Sequence, residues 1–181
     1  MARSRSPLRY PGGKAGLAPF LADAIKLNGF RDPIYVEPYA GGCGAALALL
    51  FAEKVSEVVL NDKDRRLYAF WRAVLNQTSH FLKLLSCTPI TMREWYRQRE
   101  IYLHPWRHRQ LALGFATFFL NRCNRSGILV TGGPIGGHAQ TGAWKIDARF
   151  NREELAQRIE KVAAYRARIR FENLDALTFL R

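Results

Sequence analysis

The sequence predicts an α/β fold, a parallel sheet interrupted by a long helical insert. Three observations predict it. Two short apolar runs, Ile34-Tyr35-Val36 and Val58-Val59-Leu60, flank a glycine turn and a helix-length segment, the pattern of a βαβ unit. From 65 to about 119, apolar residues recur at helical spacing, far longer than a crossover requires. A third strand-like run, Ile169-Arg170-Phe171-Glu172-Asn173, follows a strongly signalled helix.

The first ordered feature, Arg9-Tyr10-Pro11-Gly12-Gly13-Lys14, is a loop by its proline and paired glycines. Helical spacing follows over 17–27 through Leu17, Phe20, Leu21, Ala24 and Ile25, and Asn28-Gly29 supplies the stop. Pro33 and Pro38 bound the first strand. Gly41-Gly42-Cys43-Gly44 makes the turn, 45–53 the helix, and Asn61-Asp62 ends the second strand. In the helical stretch, Leu67, Phe70, Trp71, Val74 and Leu75 form one apolar stripe, and Leu111, Phe115, Phe118 and Phe119 another. Breaks fall at Pro89 and Pro105. Thr91 stands three residues before Glu94, the spacing of a capping box. The glycine-rich stretch 127–142 is a loop. Asn151 and Glu154 cap a helix whose Leu155, Ile159, Val162 and Ala163 face the core. The residues up to Arg181 read as the start of a helix after the third strand. The predicted organisation is a first part at 1–65, a helical, basic insert at 66–150, and a return to the first domain at 151–181.

Composition narrows the function. The chain is 48% hydrophobic, enough for a core, which excludes disorder along its length. Its net charge of +13 points to a polyanionic partner, because clustered Lys and Arg displace counterions from phosphates. Cys43, Cys87 and Cys123 are odd in number, far apart and outside any CxxC spacing, so neither a disulfide framework nor a zinc site is expected. The cysteines suit a reduced, cytoplasmic protein. His104 and His108 are four apart, but Pro105 lies between them and no HExxH carboxylate accompanies them. The basic N-terminus lacks the apolar region of a signal peptide, and no apolar stretch is long enough to span a membrane.

The chemistry concentrates where strands end. Glu37-Pro38-Tyr39-Ala40-Gly41-Gly42-Cys43-Gly44 turns the backbone sharply at the end of the first strand, where open α/β sheets bind ligands. Asp62 closes the second strand at about the 20-residue spacing of a ribose-binding carboxylate. A glycine turn of this kind also serves as a plain tight connection. The dinucleotide pattern GxGxxG is not matched, since Ala45 and Ala46 follow Gly44. An acid ahead of the turn suits a ligand with a positive charge, such as an ammonium. From Met92 to Gly127 there are seven Arg against two Glu, with Trp95, Tyr96, Tyr102 and Trp106 interleaved. Arginine forks to phosphates or guanine edges, and aromatic rings stack on bases.

The order RYPGGK, VEPYAGGCGA, LND, FFLNRCNRSGI, FENLDAL resembles the Dam-type adenine-N6 DNA methyltransferases over essentially the whole chain. The resemblance implies a Rossmann-like methyltransferase sheet, with the helical region as a target-recognition subdomain. It implies S-adenosylmethionine as cofactor and double-stranded DNA as substrate. By position, Tyr10 and Lys14 match the family's first cofactor loop. Glu37, Ala40, Gly41 and Gly44 match the turn around the methionine part, Asp62 the acid that holds the ribose hydroxyls, and Asp175 an acid near the cofactor's adenine. Asn121, Arg122, Asn124, Arg125, Ser126 and Ile128 fall in the DNA-contacting segment. The family often has an aromatic residue where Arg125 stands, so no base-stacking role carries over to it.

One departure matters. The family places (Asp/Asn/Ser)-Pro-Pro-(Tyr/Phe) after this third strand, to hold a flipped-out adenine for in-line methyl transfer. The sequence contains no Pro-Pro, and its sheet would lack later strands. The expectation is a chain that is catalytically weak or dead alone. It would be a fragment, a DNA-binding remnant, or one half of a split enzyme whose second chain supplies the motif.

Overall fold

The computed structural model describes residues 6–181; the first five residues of the predicted 1–65 segment lie outside them. The chain is α/β, with a small parallel sheet and many helices. After a 3-10 turn at Lys14–Leu17 come α1 (Ala18–Leu27), β1 (Ile34–Glu37), α2 (Gly44–Phe51) and β2 (Glu57–Asn61). Then follow α3 (Arg65–Asn76), α4 (Thr78–Cys87), α5 (Met92–Leu103) and α6 (Gln110–Cys123), and after a long loop α7 (Arg152–Ala164), β3 (Ile169–Glu172) and α8 (Ala176–Phe179). No helix among the described residues is long and apolar enough to cross a membrane.

The boundaries follow local chemistry. Helix α1 ends in a Schellman arrangement: Phe30 N–H reaches the Ile25 carbonyl at 3.3 Å and Gly29 N–H the Lys26 carbonyl at 3.1 Å, with Gly29 at φ +64°. Asp64, Thr91, Asn151 and Asp175 cap α3, α5, α7 and α8 through side-chain oxygens. At the α7 cap, the Glu154 carboxylate pairs with Arg158 at 2.6 Å.

Among the described residues the sheet has three strands, in the order β1-β2-β3, all parallel. Register puts Tyr35, Glu37, Val58, Leu60, Ile169 and Phe171 on one face, because side chains alternate along a strand. That face is covered: α2 packs on β2, α3 packs on β3, and Trp71 stacks on Phe171 with ring centroids 6.0 Å apart. Helices α3 and α6 cross closely because Gly114 leaves room. A β-carbon there would stand 2.5 Å from the Ala69 carbonyl oxygen. The helices of the predicted 66–150 segment share one hydrophobic core with the sheet.

The opposite face is open. Ile34 and Val36 of β1 are 56% and 46% exposed, Arg170 is exposed, and Val59 is half-buried. β1 is also an unpaired edge among the described residues. Parallel sheets are normally covered on both faces, so this surface is apolar area that the fold does not itself bury. The asymmetry is measurable in this polypeptide. Val58→Ala is expected to lower stability by about 2 kcal/mol and Val36→Ala by less than about 0.5 kcal/mol in urea unfolding. Equal losses would mean that the second face is covered.

Candidate functional site

The predicted cofactor residues gather at the C-terminal ends of the strands. Ala40 N–H reaches the Asn61 carbonyl at 2.8 Å, which draws the glycine turn against the end of β2. Gly41 N–H then donates to Asp62 Oδ2 at 2.9 Å, while Asp64 N–H donates to Oδ1 at 2.9 Å. Asp62 thus braces the turn and still has lone pairs for further donors. Burial pushes its pKa up.

The glycines serve the protein before any ligand. Tyr10 lies on the turn: a β-carbon at Gly41 would stand 2.8 Å from Tyr10 Cε1, and one at Gly42 2.7 Å from Tyr10 Cβ. Gly44, which opens α2, abuts Ala15 in the same way. The close approach that the sequence assigned to a ligand is made by the Tyr10 loop.

Glu37 is 3% exposed and sits at the end of β1. Lys14 Nζ reaches its Oε1 at 2.9 Å and the Tyr39 carbonyl at 2.7 Å. Among the described residues no donor reaches Glu37 Oε2 in full hydrogen-bond geometry. Burial raises the Glu37 pKa, against the opposing pull of Lys14, the Tyr35 hydroxyl and the Ala46 N–H, which all act on the carboxylate. A buried carboxylate with an oxygen to spare is a seat for a cationic group. Asp175 is exposed, caps α8 through Leu177 N–H at 3.1 Å and pairs with Lys63 at 3.0 Å. It stands beyond the strand end, near the residue that follows Asp62.

Two residues that sequence reasoning passed over organise this corner. Asn61 is fully buried. Its Nδ2 donates to the Pro38 carbonyl at 3.0 Å and the Leu174 carbonyl at 3.1 Å, and its Oδ1 accepts from Leu174 N–H at 2.8 Å. Trp71 Nε1 donates to the Gly41 carbonyl at 3.0 Å. A polar residue ending an apolar strand was the available signal for Asn61. Trp71 carried none beyond its place in a stripe.

The predicted DNA segment divides in two. Asn121 is fully buried, accepts from Arg9 N–H at 2.7 Å and donates to the carbonyls of Arg9 at 2.8 Å and Gly127 at 3.0 Å. Asn124, equally buried, accepts from Trp95 Nε1 at 2.8 Å and donates to the Ile128 carbonyl at 2.7 Å. Arg122 is 9% exposed and bonds the Arg149 and Pro7 carbonyls. Arg125, Ser126 and Ile128 lie on the surface. Of the interleaved aromatics, Trp95 and Tyr102 are core, whereas Tyr96 and Trp106 are exposed, with the Arg65 guanidinium 4.3 Å from the Trp106 ring centroid. The predicted cofactor residues and the predicted DNA segment meet at the Tyr10 loop, because Asn121 holds Arg9 by both its backbone groups.

Comparison with known proteins gives the family. No curated protein matches the chain. The family model of the D12 class N6 adenine-specific DNA methyltransferases matches residues 10–179, from the Tyr10 loop to the end of α8. With its strand-end corner and its Asn121-pinned segment inside that span, the chain belongs to the D12 class N6 adenine-specific DNA methyltransferase family.

Proposed function

We propose that these residues form the cofactor- and target-binding part of an adenine-N6 DNA methyltransferase that uses S-adenosylmethionine. The observation that supports this most is Glu37, a carboxylate buried beside Lys14 with no donor in full hydrogen-bond geometry at its Oε2 among the described residues, at the strand end where the glycine turn and Asp62 converge. These residues fit the cofactor. Glu37 would hold its ammonium, Lys14 its carboxylate, Asp62 its ribose hydroxyls and Asp175 its adenine edge. Tyr10 would cover it, and the backbone of Ala40, Gly41 and Gly44 would line its approach. When bound, S-adenosylmethionine supplies a methyl group on a sulfonium, activated toward attack by a base nitrogen.

For DNA, Arg125, Ser126 and Ile128 form the exposed contact segment, and Asn121, Arg122 and Asn124 set its position from beneath. Segment 66–150 is read as the target-recognition part, with Tyr96 and Trp106 available for stacking. No Pro-Pro motif occurs in the sequence, so the group that holds the target N6 in this family is not among these residues. We infer that the 181-residue polypeptide binds cofactor and DNA without transferring methyl unaided. A further segment or a second chain that pairs with the free edge of β1 and covers its open face would supply the motif.

Titration calorimetry is expected to show S-adenosylmethionine binding that Glu37→Gln and Asp62→Ala each weaken at least about tenfold, or roughly 1.4 kcal/mol. Absence of binding would overturn the cofactor assignment, and saturable NAD binding would favour a different nucleotide enzyme. Methyl transfer to duplex DNA by this polypeptide alone would overturn the inferred inactivity.

The same carboxylate sets a stability test. Burial raises the folded pKa of Glu37 above the ordinary 4.5. Its contribution is therefore fully present below pH 4.5 and is lost as pH rises through the raised folded value. Urea unfolding of wild type and Glu37→Gln across this window should show wild type losing ground to the variant as pH rises. At neutral pH the variant should be at least as stable while binding cofactor more weakly. Wild type gaining stability relative to the variant as pH rises would show that the Lys14 ion pair outweighs burial.

A further inference from the structure

A cavity of about 580 Å³ opens along the Tyr10 loop; Tyr10 and Gly44 line it, whereas Glu37 and Asp62 do not. Its walls come from the N-terminal segment, the glycine turn, the end of α6 and the start of α7. Among the described residues, four arginines line it (Arg9, Arg122, Arg149 and Arg158) with Glu154 as the lining carboxylate. Glu154 is engaged by Arg158 at 2.6 Å and its charge also acts on Arg122, which leaves one lining carboxylate against four guanidinium groups.

Three of the arginines have backbone work. Arg122 donates to the carbonyls of Arg149 at 2.9 Å and Pro7 at 3.4 Å, Arg158 to that of Ser6 at 2.8 Å, and Arg9 to that of Asn124 at 3.4 Å. Arg149 differs. Its side chain is exposed and has no hydrogen-bond or carboxylate partner among the described residues. Like charges packed this closely repel. Burial, with Arg9 and Arg158 nearby and Glu154 opposing, drives the pKa of Arg122 down to about 10, and burial followed by Arg149 lowers that of Arg9. A concave site with several guanidinium groups and one engaged acid is stabilised by a bound oxyanion, because the planar forks match phosphate oxygens. Ser126 of the exposed contact segment forms part of the same wall, so the cavity is continuous with that surface.

We propose that this cavity is a phosphate seat, filled by a backbone phosphodiester of the DNA held across Arg125, Ser126 and Ile128, with Arg149 as its free clamp. The proposal rests on the DNA reading above. It adds a contact along the Tyr10 loop, where a strand backbone would touch the residue next to Tyr10.

The test is fluorescence anisotropy with a short labelled duplex, between about 50 and 200 mM salt. Arg149→Gln is expected to weaken binding about five- to tenfold at the low end and to reduce the salt slope by about one. Arg149→Glu should weaken it further. Arg31→Gln, an exposed arginine at the opposite end of the sheet, serves as the control for net charge. Melting temperature and S-adenosylmethionine affinity should stay at wild-type values in both Arg149 variants. An unchanged slope in Arg149→Gln, or a loss no larger than in Arg31→Gln, would overturn the seat. If wild type binds no duplex, the DNA reading itself falls. Inorganic phosphate that raises the melting temperature of wild type but not of Arg149→Gln would then assign the seat to free phosphate and overturn its assignment to DNA.

Discussion

The site depends on how three short parallel strands are made to end together. Strands of four, five and four residues form few ladder bonds, and everything chemical sits just beyond them. The Asn61 amide closes the gap, bonding the chain after β1 at Pro38 and the chain after β3 at Leu174. Each such buried bond contributes about 1 kcal/mol, but an orphaned partner costs about 1–3 kcal/mol, so the amide is far harder to lose than its net contribution suggests. Asn173 repeats the device one step out, donating to the carbonyls of Asp62 at 2.8 Å and Lys63 at 3.1 Å. Trp71 holds the glycine turn from the α3 side. The acids proposed as ligands are thereby carried on a rigid rim at the strand ends.

Much of this was legible in the sequence, and the failures have a common cause. Helix caps, the βαβ unit and the strand-end acids depend on local chemistry, and the predicted Asn28-Gly29 stop and Thr91 and Asn151 caps appear where expected. What the sequence concealed was partnership at a distance. Gly41 and Gly42 announce a close approach but not its maker, and the maker is Tyr10, about thirty positions away in the chain. Asn121 and Asn124 have the donor–acceptor pairs that could read adenine. The same atoms satisfy buried backbone groups of Arg9, Gly127 and Ile128, and that use shows only when the chain is folded.

Those two amides explain why a segment proposed to face DNA needs buried polar residues. A surface loop that must present Arg125, Ser126 and Ile128 in fixed positions cannot rely on apolar packing, since its own outward side chains are polar or exposed. Backbone bonds take that role. Asn124 spans the short 3-10 turn at Arg125–Gly127 from one side to the other, and Trp95 locks the amide's orientation from α5. The return loop adds Ile135 N–H to the Cys123 carbonyl at 2.8 Å and Arg125 N–H to the Gly133 carbonyl at 3.0 Å. A segment held at this many points loses little further entropy when it meets a ligand.

Charge is partitioned around the Tyr10 loop, and that partition bears on both halves of the proposed function. One group is Glu37, Asp62 and Asp64, a corner suited to a cationic cofactor with free hydroxyls. The other is Arg9, Arg122, Arg149 and Arg158, a cavity suited to phosphate. The loop between them is only partly built from its own contacts: Asn121 fixes Arg9, the glycine turn supports Tyr10, and Lys14 reaches across to Glu37. A negative ligand in the cavity and a positive one in the corner each relieve repulsion beside the same short segment.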